Sequence, residues 1–234
     1  GFRFDLMGLH DVETMQAIEK AVHAINPNAI IYGEAWNMAG STTTATMATQ
    51  PNIGKITTTE GAAGAVSVFN DVIRDGLKGS VFEQKGQGYI NGEYAANTGN
   101  VQFGIAGGNG AGAGWSVKNG MVINYMSAHD NNTLWDKLAI SNASDTVEAR
   151  LAMNRLGAGI VMTALGTPFW QAGEEMIRSK PDASDSTGFN ENSYNASDAV
   201  NNIVWDALVP GSNEYAMMEY YKGLIEMREV YEIF

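Results

Sequence analysis

Three apolar stretches of this chain each lead to a carboxylate, and this pattern limits its possible folds more than any other feature. Phe2-Arg3-Phe4 runs into Asp5, Ile30-Ile31-Tyr32-Gly33 into Glu34, and Val122-Ile123-Asn124-Tyr125-Met126 towards His129-Asp130. Short apolar runs of this kind read as strands buried on both faces, the signature of a parallel sheet. A helix fits between the first two. Val12, Met15, Ile18, Val22 and Ile25 recur at helical spacing, Asp11 or His10 stands where a cap belongs, and Asn26-Pro27-Asn28 stops the run. A strand, one helix and a next strand in such quick succession imply a parallel crossover.

The alternation continues along the chain. Strands are expected at about 2–7, 29–32, 65–69, 121–126 and 167–173, the last running into Glu174-Glu175. Helices are expected at 12–25, 70–77, 132–138, 145–164 and 215–230. Residues 37–63 and 178–205 read as long loops. Residues 86–120, with eleven glycines, read as loop with short helices. The glycines at 104–114 neither follow a clear strand nor open a helix, so they form no phosphate cradle. Five strands with interleaved helices and long loops after strand ends predict an α/β fold, specifically the C-terminal portion of a TIM (β/α)8 barrel lacking its N-terminal strands. The whole of 1–234 is then one partial barrel domain. Residue 1 is a glycine inside a core strand, which predicts an internal piece of a longer protein. Expressed alone, an open parallel sheet with unpaired apolar edges is expected to be inactive and poorly soluble.

Composition narrows the function. The net charge is -12, so no basic stripe is available for nucleic-acid phosphates or an anionic membrane surface. A neutral polymer suits such a surface. With no cysteine, disulfides, thiolate metal sites and thiol nucleophiles are excluded. The three histidines, His10, His23 and His129, lack metal-binding spacing, so no metal ligands are expected. No run of 18 apolar residues is present to insert into a membrane.

The strand-end acids carry the chemistry. Asp5 and Arg3 lie two apart on one strand and share a face, so the arginine can hold the aspartate ionised and oriented. Glu34, between Tyr32-Gly33 and Trp36, sits among apolar and aromatic neighbours that favour a protonated carboxyl suited to acid catalysis. An ionised aspartate opposite a protonated glutamate forms a nucleophile and acid/base pair. Three of these residues also have a plainer reading: Asp5 as a helix cap, Asp130 as part of an Asp/Asn-rich turn, and Trp36 as a cleft-wall or core aromatic.

Gly1-Phe2-Arg3-Phe4-Asp5, Tyr32-Gly33-Glu34-Ala35-Trp36 and Ala128-His129-Asp130-Asn131, in that order, resemble three motifs of the α-amylase superfamily of glycoside hydrolases. Phe4-Asp5-Leu6-Met7-Gly8, Asn70-Asp71-x-x-Arg74-Asp75, the eleven residues from Ala128 to Leu138, Arg178-Ser179-Lys180, Asn192-Ser193-Tyr194 and Asp198-x-x-Asn201 are similar to type I pullulanases, which cleave α-1,6 branch links in glucans. The resemblance implies a retaining mechanism. Asp5 would be the nucleophile, Glu34 the general acid and base, and Asp130 the carboxylate that holds sugar hydroxyls and favours the distorted ring. Arg3 would orient Asp5, His129 would bind a hydroxyl, and Leu6, Trp36 and Asn131 would line the sugar subsites. It implies an α-glucan substrate, no redox or organic cofactor and no obligate protein partner.

Departures stand beside the match. The superfamily's Asp-x-x-x-Asn-His motif is not in this chain, and Ala35 replaces a common glycine. No D-x-[DN]-x-[DN]-G loop is present, so no calcium site is expected within 1–234, although structural calcium is open for a longer protein. An α-1,4-acting amylase or neopullulanase, a non-catalytic glucan-binding remnant and a magnesium-dependent barrel enzyme remain alternatives. The compartment stays open, with a polymeric substrate favouring the outside of the cell over the cytoplasm.

Overall fold

A computed structural model describes residues 1–38, 46–56, 66–109, 115–116 and 119–233. Five strands form one sheet in the order β1 (Phe2–Phe4), β2 (Ile31–Gly33), β3 (Val66–Phe69), β4 (Val122–Asn124) and β5 (Thr167–Pro168). The ladders β1–β2, β2–β3 and β3–β4 are parallel, with Arg3 opposite Tyr32, Gly33 opposite Val68 and Phe69 opposite Ile123. β3 and β4 are buried along their whole length, whereas Phe2 on the edge strand β1 is half exposed. Spatial order therefore follows chain order, as expected for successive crossovers.

The chain divides into two compact units. The first comprises residues 1–70, 103–124 and 165–167. Its core is Met7, Met15, Ile31, Ile53, Ile56, Val66, Val68 and Met121. Helix α1 (Val12–Ile25) is capped as the sequence indicates, with Asp11 Oδ1 accepting from the Thr14 N–H at 2.6 Å. That bond holds the Asp11 carboxyl below its ordinary pKa. The buried face differs from the apolar stripe read from the sequence. Glu19 and His23 are buried beside Met15, and Ile25 is exposed. His23 reconciles this, its Nδ1 lying 3.0 Å from Glu19 and its Nε2 3.0 Å from the Ala29 carbonyl. A buried polar pair satisfied at both ring nitrogens can thus take an apolar position. Within the expected 37–63 loop, Pro51 opens a turn that continues into the short helix α2 (Ile53–Ile56), while 39–45 and 57–63 lie outside the described residues.

The second unit comprises residues 71–102, 125–164 and 168–234. It contains α3 (Asp71–Lys78), α4 (Tyr94–Ile105, whose last residues belong to the first unit), α5 (Leu134–Ser141), α6 (Val147–Thr163), α7 (Asp198–Asn201) and α8 (Asn213–Val230). Its core gathers Ile73, Leu77, Val101, Met126, Leu134, Leu138, Leu151, Val161, Met217 and Tyr221. Thr133, Thr146 and Ser212 cap α5, α6 and α8, each accepting a backbone N–H three residues on.

Two expectations are corrected. The glycine-rich stretch contains a twelve-residue helix, α4, whose Asn97, Thr98, Gly99 and Asn100 hide any amphipathic stripe. Of the glycines at 104–114, Gly110, Gly112 and Gly114 lie outside the described residues. The expected strand 167–173 is reduced to two residues. Pro168 has no N–H for a ladder, and the chain then turns, with the Trp170 Nε1–H and the Gly173 N–H both donating to Glu175.

Candidate active site

In the first unit, β1 and β2 deliver their acids side by side because they are parallel neighbours in register. Phe4 pairs with Gly33, so the next residues, Asp5 and Glu34, both leave the C-terminal ends of their strands. The Glu34 N–H donates to the Phe4 carbonyl at 3.0 Å, and the Glu34 carbonyl accepts from the Gly8 N–H at 2.9 Å. This close approach needs glycines. A Cβ on Gly33 would stand 2.4 Å from the Phe4 carbonyl oxygen, and one on Gly8 1.9 Å from the Trp36 carbonyl oxygen.

The Glu34 side chain is buried and held at both oxygens. Arg3 Nη2 donates to Oε1 at 2.9 Å, and the Leu6 N–H donates to Oε2 at 3.2 Å. Leu6 itself has a left-handed backbone, φ 53°, where the chain turns out of β1. Arg3 Nη2 also lies 3.8 Å from Asp5 Oδ1. The sequence places Arg3 with Asp5; the structure gives its shorter contact to Glu34. One guanidinium nitrogen therefore reaches both carboxylates, and its plane also packs over Phe69, 5.2 Å from the ring centre. Glu34 is 8% exposed and Asp5 61% exposed. Leu6 is exposed and Trp36 half-buried on the same segments.

The other predicted residues belong to the second unit. His129, Asp130 and Asn131 form the turn between β4 and α5, with His129 Nε2 3.3 Å from Asp130 Oδ1. Both side chains are open to solvent. Asn131 turns the chain with φ 62°, which asparagine tolerates better than most residues.

Buried polar groups distant in sequence hold this turn. Ser127, two residues before His129, donates to Glu174 Oε2, and Tyr221 on α8 donates to Glu174 Oε1 at 2.7 Å. Burial pushes the Glu174 carboxyl up to about 7, against these two donors and nearby Lys78. Burial also brings Lys78 down to about 7, with Arg74 adding to the effect. On the other side, Lys180 Nζ donates to the His129 carbonyl at 3.2 Å. Lys180 is anchored in turn, because its backbone N–H and the Ser179 hydroxyl donate to the two oxygens of Asp136 at 2.8 and 2.5 Å. Asp136 is fully buried, and burial raises its pKa despite those donors.

No protein-family model matches the chain. Individual proteins match over its entire length. The pullulanase of Bacillus subtilis strain 168 is 31% identical over 242 residues, a match that takes in all of this chain and 30% of that protein. Pullulanase A of Streptococcus pneumoniae serotype 2 is 33% identical over 281 residues, again across the whole chain and 21% of the relative. The pullulanase of Paenibacillus barengoltzii, solved in complex with maltohexaose and α-cyclodextrin, superposes with a TM-score of 0.86 at 35% identity. That superposition covers 98% of this chain and 33% of the other. The chain is similar over its whole length to one part of the pullulanases.

It spans a third or less of the length of these pullulanases. The parallel five-stranded α/β sheet is likewise shared with them, and the type I pullulanase of B. subtilis, solved with maltose, superposes at a TM-score of 0.86. Among the described residues no helix is long and apolar enough to cross a membrane.

Proposed function

We propose that the protein carrying this chain is a retaining glycoside hydrolase that cleaves α-1,6 branch links in glucans such as pullulan, and that this chain supplies part of its (β/α)8 barrel. The observation that carries the reading is the Arg3 guanidinium, shared by the two strand-end carboxylates. A carboxylate oxygen of Asp5 and one of Glu34 lie within 4.8 Å of each other, close to the roughly 5–5.5 Å separation a retaining mechanism needs. Catalytic groups at the C-terminal ends of parallel strands are the rule for barrel enzymes.

The roles are those the family resemblance implies, and exposure and contact are compatible with them. Asp5, open to solvent, is the nucleophile that attacks the anomeric carbon and forms the glycosyl-enzyme. Glu34, enclosed and oriented by Arg3 and Leu6, protonates the departing glycosidic oxygen and then takes a proton from the water that releases the sugar. Asp130, with His129 and Asn131 beside it, grips sugar hydroxyls more tightly as the ring distorts. Trp36 and Leu6 offer apolar surface for sugar faces. No redox or organic cofactor enters this chemistry. The pullulanase structures solved with maltohexaose and maltose support a glucan substrate.

The test is incubation of the protein that carries this chain with pullulan, beside an Asp5→Asn variant. Maltotriose that disappears in the variant is the expected result. Panose instead would assign α-1,4 cleavage, and glucan binding without any product would replace hydrolysis by a binding role.

A further inference from the structure

We propose that Lys180 is a positioning residue for Asp130: its ammonium holds the His129 carbonyl, and so fixes the turn that presents the Asp130 carboxylate to substrate. The proposal rests on the functional reading above for what Asp130 does, and on the geometry of the second unit for what Lys180 does.

The turn 127–131 needs such a fastening. His129 and Asp130 are exposed, 48% and 69% at the side chain, and the following Asn131 is left-handed. An exposed turn with a left-handed residue has several conformations open to it unless its backbone is tied down. One tie lies before the acid, from Ser127 to the buried Glu174. The other reaches the carbonyl of His129, whose peptide bond leads directly into Asp130, and that tie comes from Lys180.

Lys180 is built for this task. It is 2% exposed, and burying an ammonium is costly unless the group is hydrogen-bonded. Its own backbone is bonded to Asp136, which a serine hydroxyl also holds. Asp136 in turn lies in the first turn of α5, its N–H donating to the cap Thr133. The ammonium thus projects from a point fixed to α5 onto the turn that precedes α5. Its attraction to Asp136 and Asp130 opposes the lowering of its pKa by burial and by Arg178.

Displacing a reacting group by about 1 Å can cost on the order of 10²-fold in rate. The experiment is a double-mutant cycle in the protein that carries this chain. Lys180→Met, Asp130→Asn and the double variant are assayed for kcat and KM on pullulan, with Lys180→Arg as the conservative control. Lys180→Met is expected to lower kcat about 10- to 100-fold with little change in KM, and Lys180→Arg to recover most of it. In the Asp130→Asn background the same change should cost less than about threefold, because residues acting as a unit are not additive. Full additivity, or an unchanged kcat in Lys180→Met, would overturn the proposal.

Hydrogen exchange separates this outcome from a failure of the functional reading. Amides 128–132 should exchange faster in Lys180→Met while those of α6 keep their protection; unchanged exchange at 128–132 overturns the fastening. A wild type that hydrolyses no glucan overturns the role given to Asp130, and with it the catalytic half of the proposal.

Discussion

Arg3 binds Glu34, not Asp5, at its shorter distance: 2.9 Å against 3.8 Å from the same nitrogen. The buried carboxylate therefore has a fixed donor on one oxygen and the Leu6 N–H on the other, while the exposed Asp5 keeps a more open approach. The donors fix where the Glu34 side chain lies, while Asp5 keeps the accessible oxygen that a nucleophile needs.

Removing the shared guanidinium should harm both roles. Arg3→Ala leaves a carboxylate that is 8% exposed without its cationic donor, a loss of about 1–3 kcal/mol for a buried group. On pullulan, kcat/KM is expected to fall by at least about 10- to 100-fold. Arg3→Lys should restore only part of this, since an ammonium is a point charge and cannot present a planar fork. Steady-state kinetics on the three proteins checks both statements.

Glu34→Gln keeps the shape of the side chain and removes its proton chemistry. General acid–base catalysis contributes about 10²–10⁴-fold, so kcat on pullulan should drop within that range; the melting temperature should fall as well, because the amide nitrogen cannot accept from either of the donors that hold Glu34. A loss under about tenfold would remove Glu34 from the role of general acid.

How much of this was legible in the sequence depended on where the signal lay. β1 and β3 were readable as short apolar runs, and α1 because its apolar spacing and the Asp11 cap mark a helix there, although the face it buries is not the stripe the spacing gives. Helix α4 was not, because its polar and small residues show no stripe and glycine argues against a helix. The predicted site residues divide in the same way. Asp5, Glu34 and Asp130 were visible as acids after strands. The partner of Arg3 was not, since strand alternation speaks only of residues on one strand and Glu34 arrives from the neighbouring one. Glu174 and Lys180 were hidden for a related reason. Burial of a charge is decided by contacts distant in sequence, here with Ser127, Tyr221 and His129.

The glycine at position 8 should be irreplaceable. A Cβ there would stand 1.9 Å from the Trp36 carbonyl oxygen and 2.9 Å from its carbon, so relief requires backbone to move. Overpacking of this kind costs about 1–3 kcal/mol. Gly8→Ala should lower the melting temperature by several degrees and displace the segment that carries Glu34 and Trp36. Gly223→Ala, inside α8 where a Cβ would meet nothing within 4 Å, is the control; it should raise the melting temperature slightly, since alanine is favoured over glycine in a helix interior by about 0.5–1 kcal/mol, and leave activity close to wild type. Thermal melts of the two variants decide it.

Glu174 makes the second unit's stability depend on pH with a definite sign. Its folded-state pKa, about 7, lies above the ordinary 4.5 because burial disfavours the charged form. A raised pKa means the folded state holds the proton more tightly than the unfolded chain. The resulting stabilisation is full below about 4.5 and is lost as pH rises through about 7. Glu174→Gln cannot titrate and retains polar atoms facing Ser127 and Tyr221. Between pH 4.5 and 7 the melting temperature of wild type should therefore fall relative to that of the variant. Lys78, brought down to about 7 from 10.5, acts in the opposite sense and over a different range: its contribution is lost as pH falls from about 10.5 through 7. Melts of wild type, Glu174→Gln and Lys78→Met from pH 4.5 to 10 separate the two. Parallel curves for wild type and Glu174→Gln across pH 4.5–7 would show that Glu174 is ionised in the fold throughout that range.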